Sequence, residues 1–445
     1  MAHAPSKAAA AAAAAAPTMA ETTTTTCSSS SSGFTLPYIP PMGAVEPEVL
    51  AQLDARPPPA WTETAAAVLE ATPWVAALRA SDSVTPVTVP DHDQQMIDGM
   101  PGFPYRSFSY YKPLLQFHLE FYQPTHADAN EVHAVLYFSE YSEGPPGFVH
   151  GGAVATAFDE VLGFTNLCYG HFGPTLQLDV SYYRGTPLCR PLFMVGRIVR
   201  LEGRKIHLEG VLRASPDAAS PVIAEARALW YNEAQVLREA SPDAAGAAGL
   251  GPSELVMTAF TTQPSTIGVS PRAVPAWLEA LRADPDCTKM IDSSDFMNRR
   301  EELMGEYPWR GINFILNSGR VSVELYHRAS DHSVVAAVEV SNFVQGPPGC
   351  VNGGCIFAIL DNIAGIALWS VHGVKGFTKR MAVSYKKFTR ISTRYYFVET
   401  RLLAREGRQG TLELTLRNPA ADTVHAVATV TFAANAAGQS PRAVL

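Results

Sequence analysis

Apolar and polar positions follow two periods along this chain. Segments such as Glu131–Ser139 alternate, the pattern of strands with a buried face. Similar strand-like runs are predicted at 176–183, 191–200, 205–214 and 222–231, and again at 379–386, 394–404, 411–417 and 423–433, with hairpin breaks at Glu202-Gly203 and Glu406-Gly407. Two other stretches, AVATAFDEVLGF (153–164) and IFAILDNIAGIA (356–367), are apolar on every side, as a deeply buried helix is. Each follows a Gly/Pro turn, and each predicts a helix of about 15–18 residues. One buried helix followed by antiparallel strands reads as α+β, with the sheet wrapping the helix. Gly353–Val371 is long enough to cross a bilayer. Asp361 and Asn362 lie in its middle, and a central Asp costs about 2.5–3.5 kcal/mol on insertion, so the expectation is a core helix with no stable membrane insertion.

These elements occur twice. GPPGFVHGGAV at 144–154 reappears as GPPGCVNGGCI at 346–356, an offset of 202. The same offset carries Asp159 to Asp361, Gly163 to Gly365, and His133–Ser139 to Val335–Ser341. It drifts to 203 at Val180-Ser181-Tyr182 and Val383-Ser384-Tyr385, and to 204 at Gly203-Arg204 and Gly407-Arg408. Matching blocks in one order with small insertions describe a tandem duplication. The predicted organisation is a low-complexity tail (1–33), a first domain with an N-terminal extension (34–239), an Ala/Gly/Pro-rich linker (240–253), a second domain with its own extension (254–435) and a short tail (436–445). Trp61, Pro73-Trp74 and Pro275–Leu281 hint at short helices in extensions that otherwise read as less regular.

The chain has 445 residues, 47% of them hydrophobic and 17% charged, enough to bury a large core. Its net charge of −8 argues against a general nucleic-acid binder but leaves room for a local basic patch. Six cysteines form no CxxC pair and no metal-ligand spacing, which suits a reducing compartment. The Ala8–Ala16, Thr22–Thr26 and Ser28–Ser32 runs predict a disordered tail. Lys7 is the only Lys or Arg before Glu21, a poor match to an Arg-rich transit peptide. The expectation is a cytoplasmic protein, with mitochondrial targeting as the alternative.

The candidate chemistry lies at the two helix starts. In His150-Gly151-Gly152 and Asn352-Gly353-Gly354, adjacent glycines let the backbone approach a ligand. The first helical N–H groups have no internal partner and carry the positive end of the dipole, a place to polarise a carbonyl. A tight turn with no chemistry is the competing reading. Asp159 and Asp361 fall inside the apolar helices, where a carboxylate needs a partner or a task. Eight residues separate Gly151 from Asp159, about 12 Å along a helix, so neither Asp reaches its own helix start. An antiparallel helix from the other copy brings Asp159 to Gly353 and Asp361 to Gly151.

GPPGFVHGGAVATAFDEVLG (144–163), with Arg184-Gly-Thr-Pro187-Leu188-Cys189 and Leu201-Glu202-Gly203-Arg204-Lys205, resembles the PaaI-like branch of hotdog-fold acyl-CoA thioesterases. The resemblance covers 115–233 well and 320–433 more weakly. It implies two tandem hotdog domains, each an antiparallel sheet wrapped around a central helix, paired as a double hotdog. It implies hydrolysis of medium- to long-chain fatty acyl-CoA without a cofactor or metal. It also implies roles: the N–H of Gly151 or Gly353 polarises the thioester, the facing Asp is base or nucleophile, and Thr175 and Thr378, seven residues before Tyr182 and Tyr385, orient water. Gly152 and Gly354 would line the bound ligand, and Arg204, Lys205 and Arg408 would meet the CoA phosphates, with Lys379, Arg380, Lys386 and Lys387 as further candidates. The pattern departs where His150 becomes Asn352, a residue suited to capping a helix. A side-chain amide that assists some relatives is missing at Gly144 and Gly346, where the adjacent Gln345 is a candidate substitute. The rival functions are an enoyl-thioester hydratase or dehydratase, which needs a His/Asp pair, and a non-catalytic acyl-CoA-binding protein. Asp159, with Thr156 and Glu160 nearby, is expected to carry more turnover than Asp361, flanked by Leu360 and Asn362. Association of whole chains into homo-oligomers is left open.

Overall fold

The computed structural model describes residues 58–87, 107–110, 115–145, 147–232, 274–292, 314–315, 320–347, 349–374 and 376–434. The low-complexity tail, the linker and the C-terminal tail lie outside these residues, so the domain boundaries at 34, 239, 254 and 435 do too.

All fourteen described strands belong to one antiparallel sheet. From the first half come β1 (Val84–Val87), β2 (Phe117–Pro124), β3 (Glu131–Phe138), β4 (Thr175–Tyr182), β5 (Pro191–Glu202), β6 (Lys205–Arg213) and β7 (Val222–Tyr231). From the second come β8 (Cys287–Asp292), β9 (Val321–Arg328), β10 (Ser333–Val340), β11 (Gly376–Tyr385), β12 (Tyr395–Glu406), β13 (Gln409–Asn418) and β14 (Thr423–Ala434). The order β1-β2-β3-β5-β6-β7-β4-β11-β14-β13-β12-β10-β9-β8 reads the same from either edge once the two halves are exchanged. The halves meet where β4 pairs with β11, with Val180 opposite Met381 and Leu178 opposite Val383.

Short helices α1 (Trp61–Glu70) and α2 (Pro73–Arg79) precede β1, and α4 (Ala276–Ala283) precedes β8. The two long helices are α3 (Gly151–Cys168) and α5 (Gly353–Ser370), 18 residues each. Each starts where a side chain replaces the missing intrahelical acceptor: His150 Nδ1 accepts the Gly152 N–H, and Asn352 Oδ1 accepts the Cys355 N–H. Helix α5 is long and apolar enough to cross a membrane, but 72% of it is buried inside this protein. Both helices share one core with the inward faces of the sheet, including Leu178 and Val180 of β4 and Met381 and Val383 of β11.

The extensions are more regular than expected. They contain β1, β2, β8 and β9, which lengthen the sheet at both edges. Their helices cover its outer face. Val132, Ala134, Leu136 and Phe138 of β3 point into the shared core, while Val135 packs in a cluster with Leu69 and Val75, and Tyr137 with Trp61 and Ala65. In the second half α4 supplies Leu278 and Leu281 to cover Val335 and Ala337 of β10. The segments leading into β2 and β9 cross between halves: the Phe108 N–H donates to Gln345 O at 2.8 Å, and Gln116 Nε2 to Phe314 O at 2.8 Å.

Candidate active site

Helices α3 and α5 run antiparallel and nearly touch. A Cβ built on Gly152 would lie 2.5 Å from the Ala358 Cα, and one on Gly354 would lie 2.7 Å from the Thr156 Cα. Glycine is required there because any side chain would force the helices apart. Gly152 and Gly354 therefore stand between the helices.

This crossing sets each Asp against the other half's helix start. A Cβ on Gly353 would lie 2.9 Å from Asp159 Oδ2, and one on Gly151 would lie 2.8 Å from Asp361 Oδ2. Thr175 Oγ1 donates to Asp159 Oδ1 at 2.8 Å, and Thr378 Oγ1 to Asp361 Oδ1 at 2.7 Å. The Tyr385 hydroxyl donates to Gly353 O and the Tyr182 hydroxyl to Gly151 O, both at 2.8 Å. Two clusters result. One joins Asp159 and Thr175 to Asn352, Gly353 and Tyr385. The other joins Asp361 and Thr378 to His150, Gly151 and Tyr182. In the sequence Tyr182 and Tyr385 serve only as landmarks; their matched positions seven residues after Thr175 and Thr378 are the signal that they belong to these clusters.

The clusters differ in detail. Asp159 Oδ2 accepts the Gly354 N–H at 3.0 Å, whereas the equivalent Gly152 N–H goes to His150 Nδ1 at 2.9 Å. His150 Nδ1 also lies 3.5 Å from Asp361 Oδ2. Burial pushes the His150 imidazole below its ordinary value, and this outweighs the attraction of Asp361. With Nδ1 accepting an amide proton and the ring neutral, the contact is not an ion pair.

Asp159 is 6% exposed. Burial, with the neighbouring Glu160 adding to it, pushes its carboxyl up from 3.8 to about 7, against the opposing hydrogen bonds from Thr175 and Gly354. It therefore changes charge near neutral pH, where an unperturbed Asp would be fully ionised. Glu160 is itself raised by burial and accepts hydrogen bonds from Ser109 Oγ at 2.6 Å and Asn352 Nδ2 at 2.9 Å.

The other candidate residues either have partners within the protein or are exposed. Gln345 Oε1 accepts the Gly349 N–H and its Nε2 donates to Asn342 O, so this amide ties its own loop. Glu143 does the same for Gly147. Arg380 pairs with Asp179 across the β4–β11 junction, with Nε 3.0 Å from Oδ1, which assigns it to the seam between halves. Arg204, Lys205 and Arg408 are exposed at the β5–β6 and β12–β13 hairpins. Ile206 pairs with Trp230 and Trp230 with Thr175, so the first hairpin lies roughly 10 Å, two strand spacings, from the Asp159 cluster. Lys379, Lys386 and Lys387 are also exposed. Among the described residues no group of three His, Cys, Asp or Glu side chains converges as metal ligands do.

Residues 146–219 match the family model described as Thioesterase superfamily. The chain is 38% identical over 74 residues to acyl-coenzyme A thioesterase THEM4 of Bos taurus, covering 17% of this chain and 30% of that protein. It is 37% identical over 92 residues to THEM4 of Xenopus laevis, covering 20% and 40%. The matched stretch thus spans well under half the length of these relatives. Among solved structures, the acyl-CoA thioesterase II TesB2 of Mycobacterium marinum is similar with a TM-score of 0.38 and 11% identity, covering 70% of this chain and 94% of that one. The stretch that holds the helix start, α3 and strands β4 to β6 is thus similar to the Thioesterase superfamily.

Proposed function

We propose that the protein is an acyl-CoA thioesterase built as a double hotdog, with two composite sites for fatty acyl-CoA of medium to long chain. The observation that carries this reading is the approach of each buried Asp, held by a Thr, to the other half's glycine helix start. The 38% identity to THEM4 over 74 residues supports the substrate class. The thioester carbonyl sits at the α5 or α3 N-terminus, where the Gly353 or Gly151 N–H and the helix dipole favour negative charge on its oxygen. Water held by Thr175 and Asp159, or by Thr378 and Asp361, attacks the carbonyl carbon as the carboxylate takes its proton. The tetrahedral intermediate collapses, the C–S bond breaks, and the CoA sulfur receives that proton. Direct attack by the carboxylate is the variant route, through an anhydride that water then cleaves. Arg204, Lys205 and Arg408 attract the CoA phosphates to the rim of the sites.

The hydratase alternative would draw on the His150–Asp361 contact. The Nδ1 of that imidazole is occupied by the Gly152 amide, which favours a helix-capping role instead. Thiol release from an acyl-CoA panel tests the reading. The double variant Asp159→Asn/Asp361→Asn should remain folded and lose hydrolysis at least a hundredfold, the scale of a general base. Wild-type turnover in that folded variant would defeat the assignment, and binding without turnover in the wild type would favour the non-catalytic alternative.

A further inference from the structure

We propose that Glu160 is a positioning residue of the Asp159 site alone: it ties the N-terminal turn of α5 to the helix that carries Asp159, and so makes the two composite sites chemically unequal. The tie is two-sided. Asn352 caps α5 through Oδ1 on the Cys355 N–H while its Nδ2 donates to Glu160 Oε1. Ser109, from the segment leading into β2, donates to the same oxygen. One carboxylate thus joins α3, the start of α5 and the first extension, directly beside the Asp159–Gly353 contact.

The other site has no such link among the described residues. The position matching Glu160 is Asn362, whose Oδ1 is buried without a hydrogen-bond partner there. The position matching Asn352 is His150, whose Nδ1 is turned back on its own helix. The Asp361 site therefore lacks both the tie and the adjacent carboxyl.

Among the described residues, few groups face Asp159. Thr175 comes from β4, the Gly354 amide from α5, and the Tyr385 hydroxyl from β11, which also senses the Cys355 thiol. Glu160 is the other carboxyl in this set, and Ser109, Tyr110 and Asn352 face it in turn. None of these groups is a cation. A negative charge on Glu160 therefore acts on Asp159 with little to offset it, and a neutral isostere should let Asp159 ionise at lower pH.

Only the kinetic arm of the test rests on the hydrolase reading. In an Asp361→Asn background, Glu160→Gln should move the midpoint of the pH–rate profile down by about one unit. The same shift should appear without turnover in the side-chain carboxyl resonance of Asp159, followed by carbon-13 NMR and assigned through Asp159→Asn. In Glu160→Ala, amide exchange at Gly354 and Cys355 should speed about fivefold relative to Gly152 and Ala153, as loss of a cap contact does. An unmoved Asp159 resonance, or unchanged exchange at the α5 start, overturns the proposal. A silent Asp361→Asn enzyme whose Asp159 resonance still shifts with Glu160→Gln keeps this inference and sinks hydrolysis at that site.

Discussion

At the scale of single residues, Asp159 couples chemistry to stability. Its folded value, about 7, is higher than the 3.8 of an unstrained chain. The unfolded state releases this proton first, so the stability contributed by the neutral carboxyl is complete below pH 4, falls as pH rises toward 7, and then levels. Replacing Asp159 by Asn removes that loss. The melting temperature of Asp159→Asn should pull ahead of wild type between pH 4 and 7, with a gap that is constant above 7; a gap that ignores pH would show that the carboxyl is not so displaced. Hydrolysis at this site should follow the opposite trend, rising through pH 7 as the base form appears. Assayed at pH 8, Asp159→Asn is expected to cost more turnover than Asp361→Asn, and the reverse order would shift the larger share to the other site. The two Asp, two Thr and four Gly were legible in the sequence because each recurs at nearly one offset. The task of Glu160 was not: its partners lie 51 and 192 residues away, on a segment and a cap that no local pattern connects to it.

At the scale of elements, the crossing of α3 and α5 is set by two glycines. Alanine at either position improves helix propensity by about 1 kcal/mol, but its Cβ would meet backbone on the facing helix at 2.5 or 2.7 Å. Relief requires the helices to separate, and overpacking of this kind costs about 1–3 kcal/mol or more. Gly152→Ala and Gly354→Ala should therefore lower stability on balance, and each should loosen the Asp-to-glycine contacts of both sites. Unchanged melting with unchanged activity would mean that the crossing tolerates a methyl group. The central helix and the four strands after it could be read from sequence in each copy, with ends displaced by up to three residues. The strands of the extensions could not. Strand β2 (Phe117–Pro124) alternates only over Phe117–Phe121, with Phe117 and Phe121 in the core; Tyr122, which packs with Leu69 and Val75 on the outer face, ends the pattern.

At the scale of the whole molecule, neither half holds all the groups of a proposed site. The Asp and Thr come from one half and the helix start from the other, across a seam made by β4, β11 and the paired helices. The Arg380–Asp179 pair on the seam is largely exposed at the arginine and adds at most about 1 kcal/mol. The shared core and the β4–β11 ladder hold the halves together. Separated pieces 34–239 and 254–445 should each be inactive as monomers, and mixing them should restore thiol release in proportion to the complex formed. An active monomeric half would contradict the composite sites.

Carrying both halves on one chain has a further consequence. Where two identical subunits build paired sites, every substitution is made twice, and a change that improves one site alters the other in the same way. Here the two copies are encoded separately, so each position can drift without its twin. Glu160 beside Asn362, and His150 beside Asn352, are pairs of this kind. On the proposed reading the two sites are free to specialise, one with a second carboxyl and the other with an imidazole, within a backbone frame that is symmetric.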